Sequence, residues 1–277
     1  MREEFQLAVP GGRTVRGDFY PAAGATNGVV LCHGFKGFAR WGAWPLLAEA
    51  LNERRLNAIA FDFSGSGVGA DRESFTELDA FAANTYRREL EDLNAVVNHA
   101  TTHGWTSRDC GLFGHSRGGA TAIFFAADSD RVNSLVTWAS IATIERWSEE
   151  QIRDWRERGY TEVVNARTGQ VLRIDKSAWD ECERESRYGL DVERAAERVR
   201  APWLIVHGSA DDVVPVSDAH RLAKANLRGD HGMVAQVRIV EGANHLLGAT
   251  HPLNSVPDEL RELIAETADF FARHQRA

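Results

Sequence analysis

The sequence predicts a mostly parallel α/β sheet covered by helices on both faces, and three observations carry that prediction. Apolar runs without alternation, such as Gly28–Cys32 and residues 57–63, have the pattern of strands buried on both faces. Segments with helical spacing separate these runs along most of the chain. The 277 residues, 43% apolar and 26% charged, suffice for one large domain with a sizeable core, or one domain carrying an insertion.

The elements follow in order. Residues 4–9 and 14–20 alternate around Pro10-Gly11-Gly12, which predicts an opening hairpin. The run Gly28–Cys32 ends in His33-Gly34 and leads to a helix over 45–55, with apolar Leu46, Leu47, Ala50 and Leu51 and Pro45 in its first turn. A strand over 57–63 and the Gly-rich residues 64–69 precede a long helix over 77–103, whose apolar positions include Leu90, Leu93, Val96 and Val97. Strands are expected over 109–113, 134–139, 203–206 and Gln236–Val240, and helices over 118–127, 217–227 and Asp258–His274.

Residues 142–199 break this rhythm: they hold no apolar sheet strand, are rich in Arg and Glu, and carry Trp147, Trp155, Tyr160, Trp179 and Tyr188. Thr168-Gly169 lies between two Val/Ile-rich pieces, 163–164 and 171–174, which predicts a short hairpin. A structureless loop that long is uncommon in a compact domain. The expectation is therefore a core of residues 1–141 and 200–277 with a cap inserted over 142–199. The Arg/Glu runs suit a solvated helical face. The tryptophans suit either the interior of the cap or an aromatic pocket wall.

Charge and composition exclude several functions. With 32 basic and 40 acidic side chains the net charge is −8, which argues against a nucleic-acid partner. No run approaches the ~18 apolar residues of a membrane span, and the opening Met1-Arg2-Glu3-Glu4-Phe5 lacks a signal-peptide core. Cys32, Cys110 and Cys182 are odd in number and widely spaced, as free thiols in a reducing compartment would be, so the cytoplasm is the expected location. Gly65-Ser66-Gly67-Val68-Gly69 imitates half of a dinucleotide fingerprint, but no apolar helix opens there and no acidic residue closes a second strand. HExxH and CxxC spacings are missing. Neither a metal nor a cofactor is expected. The expected partner is a small molecule, with a homodimer left open.

The chemistry concentrates in Gly114-His115-Ser116-Arg117-Gly118-Gly119, which follows an apolar strand and opens a helix. A sharp strand-to-helix turn would expose the Ser116 hydroxyl, and the flanking glycines avoid collision with strand and helix. A capping serine would be the bland alternative. A serine hydroxyl needs a base, and the base needs a group that orients it. In this arrangement the acid and then the histidine follow at the ends of later strands. The segment containing Asp211 and Asp212 follows the strand over 203–206, and Gly242-Ala243-Asn244-His245 follows Gln236–Val240. Ser116, Asp211 and His245 thus fill the roles of nucleophile, acid and base in the required order. The oxyanion of such a reaction needs two donors. The N–H of Arg117, directly after the nucleophile, and the N–H of Phe35, in the loop after the first parallel strand, are the candidates. His33, His115 and His207 each adjoin a glycine and suit structural support of tight turns, with His115 also placed to touch substrate. From the insert, Trp147, Trp155 and Trp179 are the further candidates for substrate contact.

His33-Gly34-Phe35, the turn around Ser116, the segment 207–215 and the Gly-x-Asn-His ending at His245 together resemble the α/β-hydrolase superfamily over nearly the whole chain outside 142–199. Within it, His33-Gly34-Phe35-Lys36-Gly37, Phe61-Asp62-Phe63-Ser64-Gly65-Ser66-Gly67 and the mid-chain insert resemble the cinnamoyl/feruloyl esterase group, a relative of dienelactone hydrolases and of the catalytic domains of acylaminoacyl and prolyl peptidases. Arg117 stands where many of those esterases have Gln. The His-Gly-x-x-Asp spacing of the superfamily selects Asp211 over Asp212. The resemblance implies a serine carboxylesterase acting on small esters, with cinnamoyl-type acyl groups as candidates, through an acyl-enzyme. The alternatives are an acylaminoacyl-peptidase-like amidase and a non-catalytic ligand receptor on the same fold.

Overall fold

The computed structural model describes residues 2–185 and 189–275; Tyr188 lies outside the described residues. Strands β1 (Glu3–Val9) and β2 (Arg13–Tyr20) form the opening antiparallel hairpin, with Leu7 opposite Val15. β2 also pairs antiparallel with β4 (Asn57–Asp62). From there the sheet is parallel: β3 (Gly28–Cys32), β5 (Cys110–His115), β6 (Val132–Trp138), β9 (Trp203–Gly208) and β10 (Gln236–Val240). The order across the eight strands is β1-β2-β4-β3-β5-β6-β9-β10. The chain therefore steps one way from β3 to β4 and the other way from β5 onward. The carboxyl ends of β3 and β5 flank the crevice that such a reversal opens.

The continuous apolar strands feed two cores at once, because successive side chains leave opposite faces. Val30 and Cys32 of β3 face the helices α3 (Tyr86–Thr102), α4 (Arg117–Asp128) and α8 (Ser217–Arg228). Val29 and Leu31 face α1 (Trp44–Glu53) and α9 (Asp258–His274). The long helix expected over 77–103 is instead two: α2 (Leu78–Ala82) and α3. Thr85 between them is extended, at φ −139° and ψ 165°, and its hydroxyl accepts from the Arg88 N–H. A Thr that caps a new helix cannot also continue the old one.

The insert has its own small framework. Helix α5 (Glu149–Arg158) opens with a Ser148/Gln151 capping box, and β7 (Tyr160–Val164) pairs antiparallel with β8 (Val171–Asp175) apart from the main sheet. Helix α6 (Lys176–Glu185) follows. Trp155, Leu172, Ile174 and Ala178 from these elements pack with Phe38 and Phe75 from the loops after β3 and β4 and with Phe81 of α2. Helix α7 (Val192–Ala196) departs from the expected boundary. Leu190, Val192, Ala195, Ala196 and Val199 join the core beside α4 and α8, and the Asn226 side-chain amide donates to the Ala196 and Val199 carbonyls, each at 3.1 Å. The final ten residues of the expected cap thus pack as core. Small apolar side chains at helical spacing there match the flat flanks of α4 and α8 rather than a solvated lid. Among the described residues no helix is long and apolar enough to cross a membrane. The three cysteines are buried and unpaired.

Candidate active site

The turn after β5 brings Ser116 to φ 54° and ψ −120°, a conformation rarely adopted by a residue with a side chain. The surroundings over-determine it. The Ser116 N–H donates to the Trp138 carbonyl at 2.9 Å. A Cβ at Gly114 would stand 2.5 Å from the Gly118 carbonyl oxygen, and one at Gly118 would stand 2.3 Å from that of His33. Only glycine lets α4 start this close to β3 and β5. A Cβ on Gly34 would lie 3.0 Å from that of Ser116, so the loop after β3 runs directly across the serine and carries Phe35 with it.

The three side chains expected to act together meet at the sheet edge. His245 Nε2 lies 3.0 Å from Ser116 Oγ, and His245 Nδ1 lies 2.8 Å from Asp211 Oδ2. Asp212, the neighbour, is exposed and touches neither. Asp211 is held in a socket of donors: the Val213 and Val214 N–H groups reach Oδ1 at 2.9 and 2.8 Å, and His207 Nε2 stands 3.2 Å from Oδ2. Burial pushes the Asp211 carboxyl up, but the hydrogen bonds from His207, His245 and the Val214 amide outweigh it and hold the group well below the usual carboxylate range. An ionised Asp211 keeps the proton of a neutral His245 on Nδ1, which leaves the Nε2 lone pair facing the serine hydroxyl.

Two further histidines brace this arrangement. His115 Nε2 meets the His245 carbonyl at 3.2 Å, tying the serine turn to the histidine loop. Burial, with the neighbouring His245, lowers the His115 pKa to about 3, so it stays neutral. It also lines the cavity. His33 donates from Nδ1 to the Gly34 carbonyl at 2.9 Å and accepts the Phe63 N–H at Nε2, 3.3 Å away, pinning the loop that carries Phe35. His207, expected as structural support of its turn, also reaches the acid: its side chain is buried and its Nε2 faces both Asp211 and the Val214 carbonyl, the latter at 2.9 Å. The signal was present, since a histidine four residues ahead of the acid in a tight turn can reach back onto the carboxylate.

The N–H groups of Phe35 and Arg117 donate to no acceptor among the described residues. Arg117 begins α4, where the first amides of a helix are free by construction. Its side chain does not line the cavity. The guanidinium lies 3.8 Å from the Tyr86 ring centre and donates from Nε to Glu89 Oε1 at 2.7 Å, while Thr121 Oγ1 donates to Glu89 Oε2 at 2.8 Å.

Above Ser116 and His245 opens a cavity of about 450 Å³. Its aromatic wall comes from Phe35, Trp41 and Trp44, and the insert contributes Asn165, Ala166 and Arg167 from the turn between β7 and β8. Trp147, Trp155 and Trp179, expected as substrate contacts, do not line it. Trp155 is fully buried, with Nε1 donating to the Ile174 carbonyl at 2.9 Å, and the rings of Trp147 and Trp179 pack on it at 4.9 and 6.0 Å. An insert this small needs its largest side chains for its own interior. Among the described residues no group of three or more His, Cys, Asp or Glu could hold a metal ion.

The chain and its fold have counterparts among known proteins. The chain is 28% identical over 233 residues to 2-hydroxy-6-oxo-6-(2'-aminophenyl)hexa-2,4-dienoic acid hydrolase from Metapseudomonas resinovorans, covering 73% of this chain and 74% of that one. Its fold matches Est1E from Butyrivibrio proteoclasticus, solved with ferulic acid bound, at a TM-score of 0.74 and 17% identity over 98% of both chains. It also matches the esterase domain of a Rhodothermus marinus protein at 0.68 and 19% identity over 99% of both chains. The sequence profile of the prolyl oligopeptidase family matches residues 58–276, a span that includes the serine turn, the acid and the histidine. On that match and this fold, the chain is an α/β hydrolase and belongs to the prolyl oligopeptidase family.

Proposed function

We propose that the protein is a serine carboxylesterase working through an acyl-enzyme. The observation that carries this reading is the continuous hydrogen-bonded line from Asp211 through His245 to Ser116, at 2.8 and 3.0 Å. Ser116 Oγ attacks the ester carbonyl carbon while His245 Nε2 takes its proton, and the anionic Asp211 stabilises the resulting imidazolium. The amides of Phe35 and Arg117 receive the oxyanion. Collapse breaks the bond to the alkoxy oxygen, which leaves with the proton from His245. Water then enters, gives its proton to His245 and attacks the acyl carbon. The second collapse returns the proton to Ser116 Oγ and releases the acid. The aromatic wall of Phe35, Trp41 and Trp44 favours an acyl group with an aromatic or extended apolar body, as does the likeness to Est1E with its bound ferulic acid.

The expected results are labelling of Ser116 by a fluorophosphonate, located by mass spectrometry, and hydrolysis of para-nitrophenyl esters that Ser116→Ala lowers by about 10⁴-fold or more. A native protein that resists the label, or a Ser116→Ala variant that keeps more than a few per cent of turnover, overturns the reading. Membership of the prolyl oligopeptidase family favours amide cleavage as a second reading. Comparison of kcat/KM on an ester and an anilide of one acyl group separates the two.

A further inference from the structure

The cavity wall opposite the sheet carries cationic and amide donors that the esterase chemistry does not use. Lys36, next to Phe35, is half-buried, and its Nζ donates to the Val164 carbonyl at 3.1 Å. Burial lowers its pKa from the ordinary lysine value. One residue beyond Val164, Asn165 is 5% exposed. Its Oδ1 accepts the Arg167 N–H at 3.1 Å, while its Nδ2 is buried without a partner. The Arg167 guanidinium lies 5.6 Å from the Phe38 ring centre, and its NH2 group reaches only a carbonyl, that of Glu73 at 3.5 Å. Neither Lys36 nor Arg167 pairs with a carboxylate among the described residues, although most of the arginines in the fold do. All three line the cavity that holds Ser116 and His245. Among the described residues that line the cavity the one carboxylate is Asp212, which is carried on the sheet side by the loop after β9, beside Asp211.

An ammonium, a guanidinium and a buried NH2 with no acceptor gather where the β7–β8 turn of the insert meets the loop that crosses the serine. A carboxylate in the cavity supplies acceptors for the ammonium and the guanidinium, since its two oxygens offer about four lone-pair sites, while the buried Asn165 side chain holds the turn that carries Arg167 through its Oδ1. We propose that Lys36 and Arg167, the latter on a turn held by Asn165, form a receptor for a substrate carboxylate, so that the preferred ester carries a free acid group besides the scissile bond. This deepens the esterase reading and rests on it. The aromatic wall then holds the body of the substrate while the insert reads its charge.

The test compares matched pairs that differ in charge. Para-nitrophenyl monoadipate is set against para-nitrophenyl hexanoate for the acyl side, and para-carboxyphenyl acetate against para-tolyl acetate for the alcohol side, with uncatalysed rates subtracted. The expected result is a preference for the charged member of at least one pair of about tenfold in kcat/KM at low ionic strength. That preference should shrink in added salt and fall by about tenfold in Arg167→Gln and in Lys36→Gln, carried by KM. Wild-type protein that hydrolyses the neutral esters through Ser116 yet shows no preference for either charged member overturns the inference while leaving the esterase reading standing. A preference that survives both variants overturns it equally. Absence of Ser116-dependent turnover on every ester fails the reading beneath it instead.

Discussion

The two walls of the cavity are built on different principles. On the sheet side every group is held by several others: Asp211 accepts from two amides and two imidazoles, His245 is tied by its carbonyl to His115, and Ser116 sits in a strained turn enclosed by glycines. On the insert side the cavity is met by a hairpin turn whose Ala166 and Arg167 are exposed, joined to the loop after β3 by the Lys36–Val164 hydrogen bond. The insert's apolar mass lies behind that turn, around Trp155. Preorganised groups that act on developing charge gain from rigidity, whereas a wall that only selects can be an edge. On the proposed reading, reaction type belongs to the sheet and selectivity to the insert.

Substitutions at four positions break or sharpen this contrast, from the largest effect at neutral pH to the smallest. Asp211→Asn should lower kcat by about 10³–10⁴ while the fold persists, because the wrong proton arrangement is imposed on His245; steady-state kinetics with a circular-dichroism control measures it. A loss below tenfold would mean that the sheet wall is less tightly coupled than its geometry implies. Trp155→Ala should destabilise the protein by about 3–5 kcal/mol in urea unfolding, since it empties the centre of the insert. If the insert opens separately, the loss appears as an early transition with the sheet still folded.

His207→Leu should cost about 1.5–3 kcal/mol of transition-state stabilisation, the worth of a hydrogen bond to a charged group, mostly in kcat. His207→Gln, which keeps a donor near the Nε2 position, should recover part of it. A purely structural His207 would show equal loss in both variants and no change in the pH profile.

The last effect is nil at neutral pH and appears only in acid, as a pH dependence of stability. His115 has its pKa lowered to about 3 from 6.5. Above 6.5 it is neutral whether folded or unfolded and contributes no slope. As pH falls below that value the unfolded chain binds a proton that the folded chain refuses. Stability is therefore lost progressively between about 6.5 and about 3, at up to ~1.4 kcal/mol per pH unit. His115→Gln should remove that component of the slope, read as the difference between the two proteins in Tm against pH; parallel curves would show that the imidazole is not held neutral.

Much of this was legible in the residues. Unalternated apolar runs announce strands buried on both faces, and the reason is that Val29 and Leu31 face one core while Val30 and Cys32 face the other. The order of Ser116, Asp211 and His245, each just past a strand, placed all three at one sheet edge, because parallel strands deliver their carboxyl ends to the same side. The break at Thr85 was less visible, since helical spacing continues across it and the new helix is started by the Thr85 hydroxyl and by the distant Glu181 carboxylate, which accepts the Tyr86 and Arg87 N–H groups.

What the sequence by itself determined is the backbone plan and the chemistry assigned to it: periodicity reports on which side of an element is buried, and chain order on which strand ends carry which residue. What only the tertiary structure decided is how segments far apart in the chain meet. Trp155 turned inward and Trp41 and Trp44 took the cavity wall, α7 joined the core, His207 reached Asp211, and Lys36 met the turn at Asn165 and Arg167. The physical reason is that such contacts are set by volume, by available hydrogen-bond partners and by the cost of leaving polar groups unpaired. None of these is a property of local spacing.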